Sequence, residues 1–138
     1  MNPAPELRDA GLLDTSVVIR LERLRPEDFP ERIAVSAITM AELAAGPAAA
    51  TDLAERARRQ DRLQRAEATF EPIPFGVDAA RAYGRVYSAV LAAGRKPRSR
   101  LAGLLIVSIA VAEKMSLVTR NAENFRGLES LVEIVSLP

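Results

Sequence analysis

Short apolar stretches alternate with longer helical segments along this chain of 138 residues, and that alternation constrains its fold more than any other feature. Strands that alternate with helices form a parallel sheet, because each crossover between strands carries a helix that covers one face of the sheet. We therefore predict an α/β fold in one domain over residues 1–138, with a central parallel sheet of four to five strands flanked by helices. Residues 1–9, which carry prolines and charges, are expected to form a loose leader.

The positions of the elements follow from the apolar periodicity. Strands are predicted at residues 10–13, 33–35, 70–73, 117–118 and 132–135. The third of these would lie at the edge of the sheet, since Pro72 and Pro74 have no N–H to donate to a neighbouring strand. Helices are predicted at residues 16–24, 36–45, 51–68, 78–93 and 101–114, and a turn or single helical turn at 121–125. Gly46 and Pro47 are expected to end the second helix.

The sequence contains no cysteine and no histidine. It therefore excludes disulfides, thiolate metal sites, ordinary zinc sites and catalysis by a histidine base. Any metal ion must be held by oxygen ligands, which are the ligands that Mg²⁺ and Mn²⁺ prefer. No apolar run approaches the roughly 18 residues that span a membrane, and the first residues show no signal-peptide core. We expect a soluble, cytoplasmic protein without membrane contact.

Asp14 follows the first predicted strand and has apolar residues on both sides. A buried carboxylate is costly unless it has partners, so this position needs an explanation. One explanation is helix capping, for which Asp, Thr and Ser are all favoured. The other is a functional site, because α/β proteins build their sites just past the carboxyl ends of parallel strands. The two explanations are compatible if Thr15 or Ser16 caps the helix and leaves the Asp14 carboxylate free for a functional site.

Two further polar residues are predicted near the same edge of the sheet. Glu42 is the only charged residue in the helix after the second strand, where it either faces solvent, pairs with an arginine or serves a site. Asn121 follows the fourth predicted strand, where an asparagine is also a common turn residue. Together with Asp14 they would bring three oxygen-bearing side chains to one crevice, an arrangement suited to a hard divalent cation that activates water against a phosphodiester.

The sequence resembles the PIN-domain ribonucleases, and most closely the VapC-type toxins of bacterial toxin–antitoxin pairs. The resemblance covers the chain from Gly11 onward. It rests on four motifs in order: Leu-Leu-Asp14-Thr-Ser-Val-Val-Ile, Ser36-Ala-Ile-Thr-Met-Ala-Glu42-Leu-Ala-Ala-Gly46, Leu104-Leu-Ile, and Leu117-Val-Thr-Arg-Asn121 with Phe125 behind it. It implies an acidic cluster that binds Mg²⁺ or Mn²⁺ and cuts RNA, in which Asp14 and Glu42 match the first two acids and Asn121 matches the fourth position.

The chain departs from the family pattern at two positions. Gly103 stands where the third acid is expected, just before the Leu104-Leu-Ile run. Asn124 stands where a further acid often precedes the phenylalanine, and Glu123 is a candidate substitute that is shifted by one residue. With fewer carboxylates to hold the ion, we expect weaker metal binding and lower nuclease activity.

A basic loop precedes the last helix and is a candidate RNA contact. Its charged residues are Arg95, Lys96, Arg98 and Arg100. Such a cluster would contact phosphates without reading the base sequence, although a solvated loop has the same composition. The resemblance also implies a homodimer, and a VapB-type antitoxin whose tail lies in a groove made by the early helices.

Two alternatives remain at this stage. The first is a catalytically impaired PIN module that binds RNA or its antitoxin without cleaving, which the glycine at position 103 favours. The second is a receiver-like or phosphatase-like α/β domain. The sequence speaks against it, because no second acid lies next to Asp14 and no glycine-rich phosphate loop is nearby.

Overall fold

A computed structural model describes residues 10–138, so the predicted leader at residues 1–9 lies outside the described residues. Within the described chain, the sheet has four strands: β1 (Ala10–Leu13), β2 (Arg32–Val35), β3 (Ser116–Thr119) and β4 (Ile134–Ser136). They are all parallel and lie in the order β2-β1-β3-β4. The predicted parallel α/β fold is confirmed.

Five α-helices flank this sheet in the described part of the chain. They are α1 (Thr15–Val18), α2 (Ala37–Ala49), α3 (Leu53–Thr69), α4 (Val77–Ala92) and α5 (Leu101–Glu113). Short 3₁₀ turns lie at Leu21–Arg23, Pro26–Asp28, Pro97–Arg100 and Ala122–Phe125. No helix within residues 10–138 is long and apolar enough to cross a membrane.

The core has two layers because successive side chains of a strand point to opposite faces of the sheet. Leu12 of β1 belongs to an apolar cluster with residues of α4 and α5, whereas Leu13 belongs to a second cluster with residues of α1, α2 and α3. Both leucines are completely buried. The helices therefore hold β1 from both sides, and its carboxyl end, where Asp14 begins the next segment, is fixed in position.

Three predictions about the elements are wrong. The helix predicted at residues 16–24 ends at Val18 and gives way to a 3₁₀ turn, since the β-branched run from Val17 to Ile19 has low helix propensity. The helix predicted to end at Gly46 continues to Ala49 with Pro47 inside it. Proline has a backbone φ that fits a helix, so the chain keeps its helical path for one more turn despite the lost N–H.

The third wrong prediction is the edge strand at residues 70–73. Only an isolated parallel bridge between Ser36 and Ile73 forms there. Ile73 donates its N–H to the carbonyl of Val35 at 3.0 Å and accepts from the N–H of Ala37 at 2.8 Å. The prolines on each side of Ile73 have no N–H, so the pairing does not extend into a strand.

Candidate functional site

Asp14 sits at the carboxyl end of β1 and is 7% exposed. Its Oδ1 accepts a hydrogen bond of 2.5 Å from the backbone N–H of Ser16, and its Oδ2 accepts one of 2.5 Å from the hydroxyl of Thr119. The prediction that Thr15 or Ser16 caps α1 is therefore wrong: Asp14 is the cap, because its backbone is still extended while Thr15 is already helical. Capping uses one lone pair of one carboxylate oxygen, and the carboxylate keeps lone pairs for other ligands.

Thr119 is a site residue that the sequence analysis did not identify. It is fully buried at the end of β3, and its hydroxyl accepts a hydrogen bond of 2.9 Å from the backbone N–H of Asn121. One hydroxyl thus joins Asp14 to the segment that carries Asn121. The available signal was a threonine directly after the predicted strand at residues 117–118, a position to which the sequence reasoning gave no role.

Glu42 is exposed on α2, and a second threonine orients it. The hydroxyl of Thr15 donates a hydrogen bond of 2.5 Å to Oε1 of Glu42, and the same oxygen of Thr15 lies 3.0 Å from the hydroxyl oxygen of Thr39. Thr39 is fully buried, and its N–H is bonded at 3.1 Å to the hydroxyl of Ser36, which caps α2. A chain of hydroxyls therefore anchors the Glu42 carboxylate to the protein interior.

Asp14, Thr15 and Glu42 line one crevice of about 320 Å³ past the carboxyl ends of the strands. The carboxylates of Asp14 and Glu42 lie in it together with the amides of Asn121 and Asn124. The first residues of α5, including Gly103, form another wall, and Arg100 lies at the start of that wall. Four of the five predicted site positions therefore lie around this crevice, namely Asp14, Glu42, Gly103 and Asn121, and the fifth, Glu123, does not.

Gly103 faces the crevice with room for a side chain. A Cβ placed on it would meet only Phe125, whose ring atoms would lie 3.4 Å and 3.5 Å away, an ordinary van der Waals separation. A Cβ at this position is therefore accommodated at ordinary contact distances. An aspartate at 103 would start from a wall of the same crevice that holds Asp14 and Glu42.

Glu123 is not among the residues that line the crevice. It is exposed and pairs with Arg126, whose Nη1 lies 2.6 Å from its Oε1. Neighbouring residues of the tight turn Ala122–Phe125 point in different directions, and Asn124 lines the crevice instead.

The four basic residues of the loop have separate positions. Arg100 lines the crevice, whereas Lys96 lines a neighbouring depression and Arg98 is exposed outside both. Arg95 braces the turn: its Nη1 donates to the carbonyl of Glu123 at 2.8 Å and to that of Arg126 at 3.3 Å.

The donor set fits a hard divalent cation in kind but is low in charge. Mg²⁺ is usually bound through one or two carboxylates, with water completing its coordination. Asp14 and Glu42 supply two carboxylates, and Asn121 and Asn124 add only neutral amide oxygens. Within residues 10–138, no group of three or more acidic side chains is close enough to hold a metal ion.

Comparisons with known proteins give one consistent result. The sequence model of the PIN domain matches residues 11–129. The chain is 34% identical over 128 residues to ribonuclease VapC5 of Mycobacterium tuberculosis, which covers 91% of this chain and 92% of the relative. It is 39% identical over 101 residues to ribonuclease VapC8 of the same species, over 72% of this chain and 89% of the relative.

A solved structure agrees with these sequence relatives. It is the crystal structure of VapBC-5 from Mycobacterium tuberculosis, a member of the VapBC family of toxin–antitoxin systems. The two folds superpose with a TM-score of 0.82 and 33% sequence identity, over 94% of this chain and 99% of the other.

Proposed function

This chain belongs to the PIN-domain family, among its VapC-type members, and on that premise we propose that it is a divalent-metal-dependent endoribonuclease toxin of a toxin–antitoxin pair. The observation that carries the proposal is the shared crevice of Asp14, Glu42 and Asn121 at the carboxyl ends of the strands. Relatives named ribonucleases support the reaction class.

In this proposal Asp14 and Glu42 hold Mg²⁺ or Mn²⁺, with Asn121 and Asn124 orienting water or a further ligand. Such an ion, when bound, would supply Lewis-acid chemistry that favours in-line attack by water on a phosphodiester. The protein contributes rigid placement: Thr119 fixes the Asp14 carboxylate and Thr15 fixes that of Glu42. Preorganised ligands need no reordering when the substrate binds. We propose that it acts in the cytoplasm, where RNA is available to it.

The antitoxin partner is proposed to lie in a groove next to the crevice. This groove, of about 400 Å³, runs between α1, α2 and α3 and includes Thr15 and Glu42, so it opens onto the site. It continues into an apolar depression lined by Val18, Leu21 and Phe70. An amphipathic antitoxin segment would bury its apolar side there and bring a basic side chain to Glu42.

A homodimer is proposed as well. Tyr87 and Leu91 on α4 and Leu101 at the start of α5 are large apolar side chains that are 37%, 53% and 51% exposed. Pairing of this surface between two copies would remove them from water. Sedimentation of Leu91→Glu should show more monomer than the wild type, and an unchanged association would assign the dimer to another face.

A second candidate function is a PIN module that binds RNA or antitoxin without cleaving it. The observation that favours it is the glycine at position 103, which leaves two carboxylates in the crevice. Tight RNA binding without cleavage in Mn²⁺ would support this candidate.

A cleavage assay separates the two. Structured RNA is incubated with the protein in Mn²⁺ or in EDTA, beside Asp14→Asn. The endoribonuclease proposal predicts internal cleavage only with metal and only with Asp14. Cleavage that persists in EDTA would overturn it.

A further inference from the structure

The groove between α1, α2 and α3 has a fixed order of chemistry along its length. Thr15 and Glu42 line both the groove and the crevice, so they mark its crevice end. Glu22 and Arg62 line both the groove and the apolar depression, so they mark its far end. A ligand that lies along the groove therefore meets the Glu42 carboxylate at one end and an apolar surface at the other.

Arginines dominate the groove between its two ends. Four of them line it, namely Arg20, Arg23, Arg59 and Arg62. Arg59 is already bonded within the protein, to Glu55 at 2.9 Å and to the carbonyl of Gly46 at 3.0 Å. The guanidinium groups of Arg20, Arg23 and Arg62 have no hydrogen-bond or ion-pair partner among residues 10–138, and we refer to these three as the groove arginines.

Two of the three carboxylates in the groove have a cation of the protein beside them. Glu55 is paired with Arg58 at 2.8 Å as well as with Arg59, and Glu22 lies 4.0 Å from Arg65. Glu42 instead accepts a hydrogen bond from the neutral hydroxyl of Thr15. The unbalanced charges of the groove are therefore one carboxylate at the crevice end and three guanidinium groups beyond it.

Arg62 is expected to be the main anchor among the groove arginines. Its side chain is half-buried, whereas Arg20 and Arg23 are exposed. A cation that is partly removed from water has lost hydration, and its attraction to an anion is screened less by salt than at an exposed position. A carboxylate placed at Arg62 should therefore contribute more to binding than one placed at Arg20 or Arg23.

The apolar depression at the far end favours a polypeptide as the ligand. Leu21 and Phe70, which line the depression, are half-buried, and Ile19 in the groove is 38% exposed, so all three have surface to offer. A nucleic acid backbone carries the same negative charge at every step and has no part that matches this apolar end. A polypeptide can place basic, acidic and apolar side chains in the order that the surface requires.

We propose that the antitoxin segment in this groove has three parts in order: a basic side chain over Glu42, carboxylates over the groove arginines, and apolar side chains in the depression. The inference rests on the proposed function, which requires only an amphipathic segment with a basic residue at Glu42, and adds the acidic part and the order. The acidic part fixes the register of the segment, because a shift toward the crevice would place a carboxylate against Glu42.

The test measures the binding of blocked synthetic peptides to the full chain in EDTA, which leaves Glu42 free of metal. The parent peptide carries an arginine, three glutamates and three leucines in that order, with alanine spacers. In two matched peptides the glutamates are replaced by glutamines or by lysines. The parent should bind about tenfold more tightly than the glutamine peptide, and the lysine peptide should bind most weakly. A parent that binds no more tightly than the glutamine peptide would overturn the inference.

Variants of the chain locate the contact. Arg62→Gln should weaken binding of the parent peptide about tenfold, and Arg20→Gln about threefold because its contact is exposed. Arg85→Gln, at an exposed position of α4 outside the groove, is the control for net charge. Arg62→Glu should also raise the affinity for the lysine peptide, whereas Arg85→Glu should not. Equal losses in Arg62→Gln and Arg85→Gln would overturn the inference in favour of diffuse attraction.

Two further arms test the order of the parts and the class of ligand. A peptide of the same composition, with its arginine between the glutamates and the leucines, should bind more weakly than the parent, and equal affinity would overturn the proposed order. Oligouridylate should not compete with the parent peptide for the groove arginines. Displacement of the peptide by oligouridylate, with the same dependence on Arg20 and Arg62, would assign these arginines to RNA and overturn the inference.

The outcomes separate this inference from the proposed function. If RNA is cleaved in an Asp14-dependent manner while the peptides do not distinguish Arg62→Gln from Arg85→Gln, only this inference is wrong. If the parent peptide binds with the expected dependence on Arg62 while the wild type cleaves no RNA, the proposed endoribonuclease is wrong and the chemistry of the groove stands.

Discussion

The hydroxyl of Thr119 donates a hydrogen bond of 2.5 Å to Oδ2 of Asp14 and accepts one of 2.9 Å from the backbone N–H of Asn121. Because Thr119 is fully buried, both bonds are sheltered from water. The carboxyl ends of β1 and β3 are thereby tied to each other through one side chain, and the two residues proposed to face the metal are positioned by it.

Thr119→Val keeps the shape of the side chain and removes both hydrogen bonds. A buried N–H and a carboxylate oxygen would each lose a partner, so we expect the free energy of unfolding to fall by about 1–3 kcal/mol. Denaturant titration measures this loss, and calorimetric titration with Mn²⁺ should show weaker binding as well. Thr119→Ser, which retains the hydroxyl, should restore the Mn²⁺ affinity; a Val variant that binds Mn²⁺ like the wild type would show that Asp14 needs no such support.

Thr15→Val tests the corresponding bond to Glu42. Since Glu42 is exposed, we expect only a small change in the free energy of unfolding, but a clear loss of Mn²⁺ affinity because the carboxylate is no longer held toward the crevice. Thr15→Ser should recover the affinity. Thr51→Val, a change of the same chemistry at an exposed position before α3, serves as the matched control.

Gly103→Asp should strengthen metal binding and raise Mn²⁺-dependent RNA cleavage. The new carboxylate adds charge to a crevice that has two acids, and its Cβ meets only the ring of Phe125 at a normal distance. Gly103→Ala isolates the effect on the helix, where alanine is favoured over glycine by about 1 kcal/mol. If Gly103→Asp behaves like Gly103→Ala in cleavage, while Asp14→Asn abolishes it, position 103 is not a ligand position.

Glu55 gives the stability of α3 a dependence on pH. Side-chain hydrogen bonds from Arg59 and Arg58 hold the pKa of Glu55 below its ordinary value of 4.5. Its stabilising contribution is therefore present above that value and is lost as the pH falls through the lower pKa of the folded state. Arg59 also donates to the carbonyl of Gly46 at 3.0 Å, so the same pair links α3 to α2.

The corresponding measurement compares the free energy of unfolding of the wild type with that of Glu55→Gln. The wild type should be the more stable near neutral pH, and the two curves should converge in acid. The control is Asp78→Asn, which removes an exposed ion pair with Arg81 at 3.7 Å. We expect this variant to differ less from the wild type in its free energy of unfolding. If the difference in free energy of unfolding between the wild type and Glu55→Gln does not shrink in acid, the charge of Glu55 is not the cause of that difference.

The sequence was sufficient to predict the residues at the strand ends, because strand and helix periodicity fix which positions follow β1, β2 and β3. Asp14, Glu42 and Asn121 lie around one crevice for that reason, whereas the position of Gly103 was predicted only through the family resemblance. The sequence did not predict the roles of Thr15 and Thr119, which orient the two carboxylates. A threonine that orients a carboxylate cannot be distinguished in a sequence from one that only contributes to a strand or a helix. Asp14 rather than Thr15 or Ser16 caps α1 because the helix begins at Thr15. A sequence predicts the end of a helix only to within about one or two residues, so it could not identify the cap.

Pro47 and Ile73 show a second limit. Rules for proline state what it cannot donate, but not whether the chain tolerates the loss. At Pro47 the helix continues for one turn, and at Ile73 two flanking prolines reduce a predicted strand to a single bridge. Arg59 also donates to the carbonyl of Gly46 beside Pro47, and the backbone of Val35 and Ala37 makes the one bridge at Ile73.

The role of Asp14 is tested by measuring RNA cleavage and Mn²⁺ binding over the same range of Mn²⁺ concentration, in the wild type and in Asp14→Asn. Cleavage by the wild type should rise with the occupancy of one Asp14-dependent site, and Asp14→Asn should lose both the binding and the cleavage. Cleavage that is undiminished in Asp14→Asn, or that does not follow Mn²⁺ occupancy, would contradict that role.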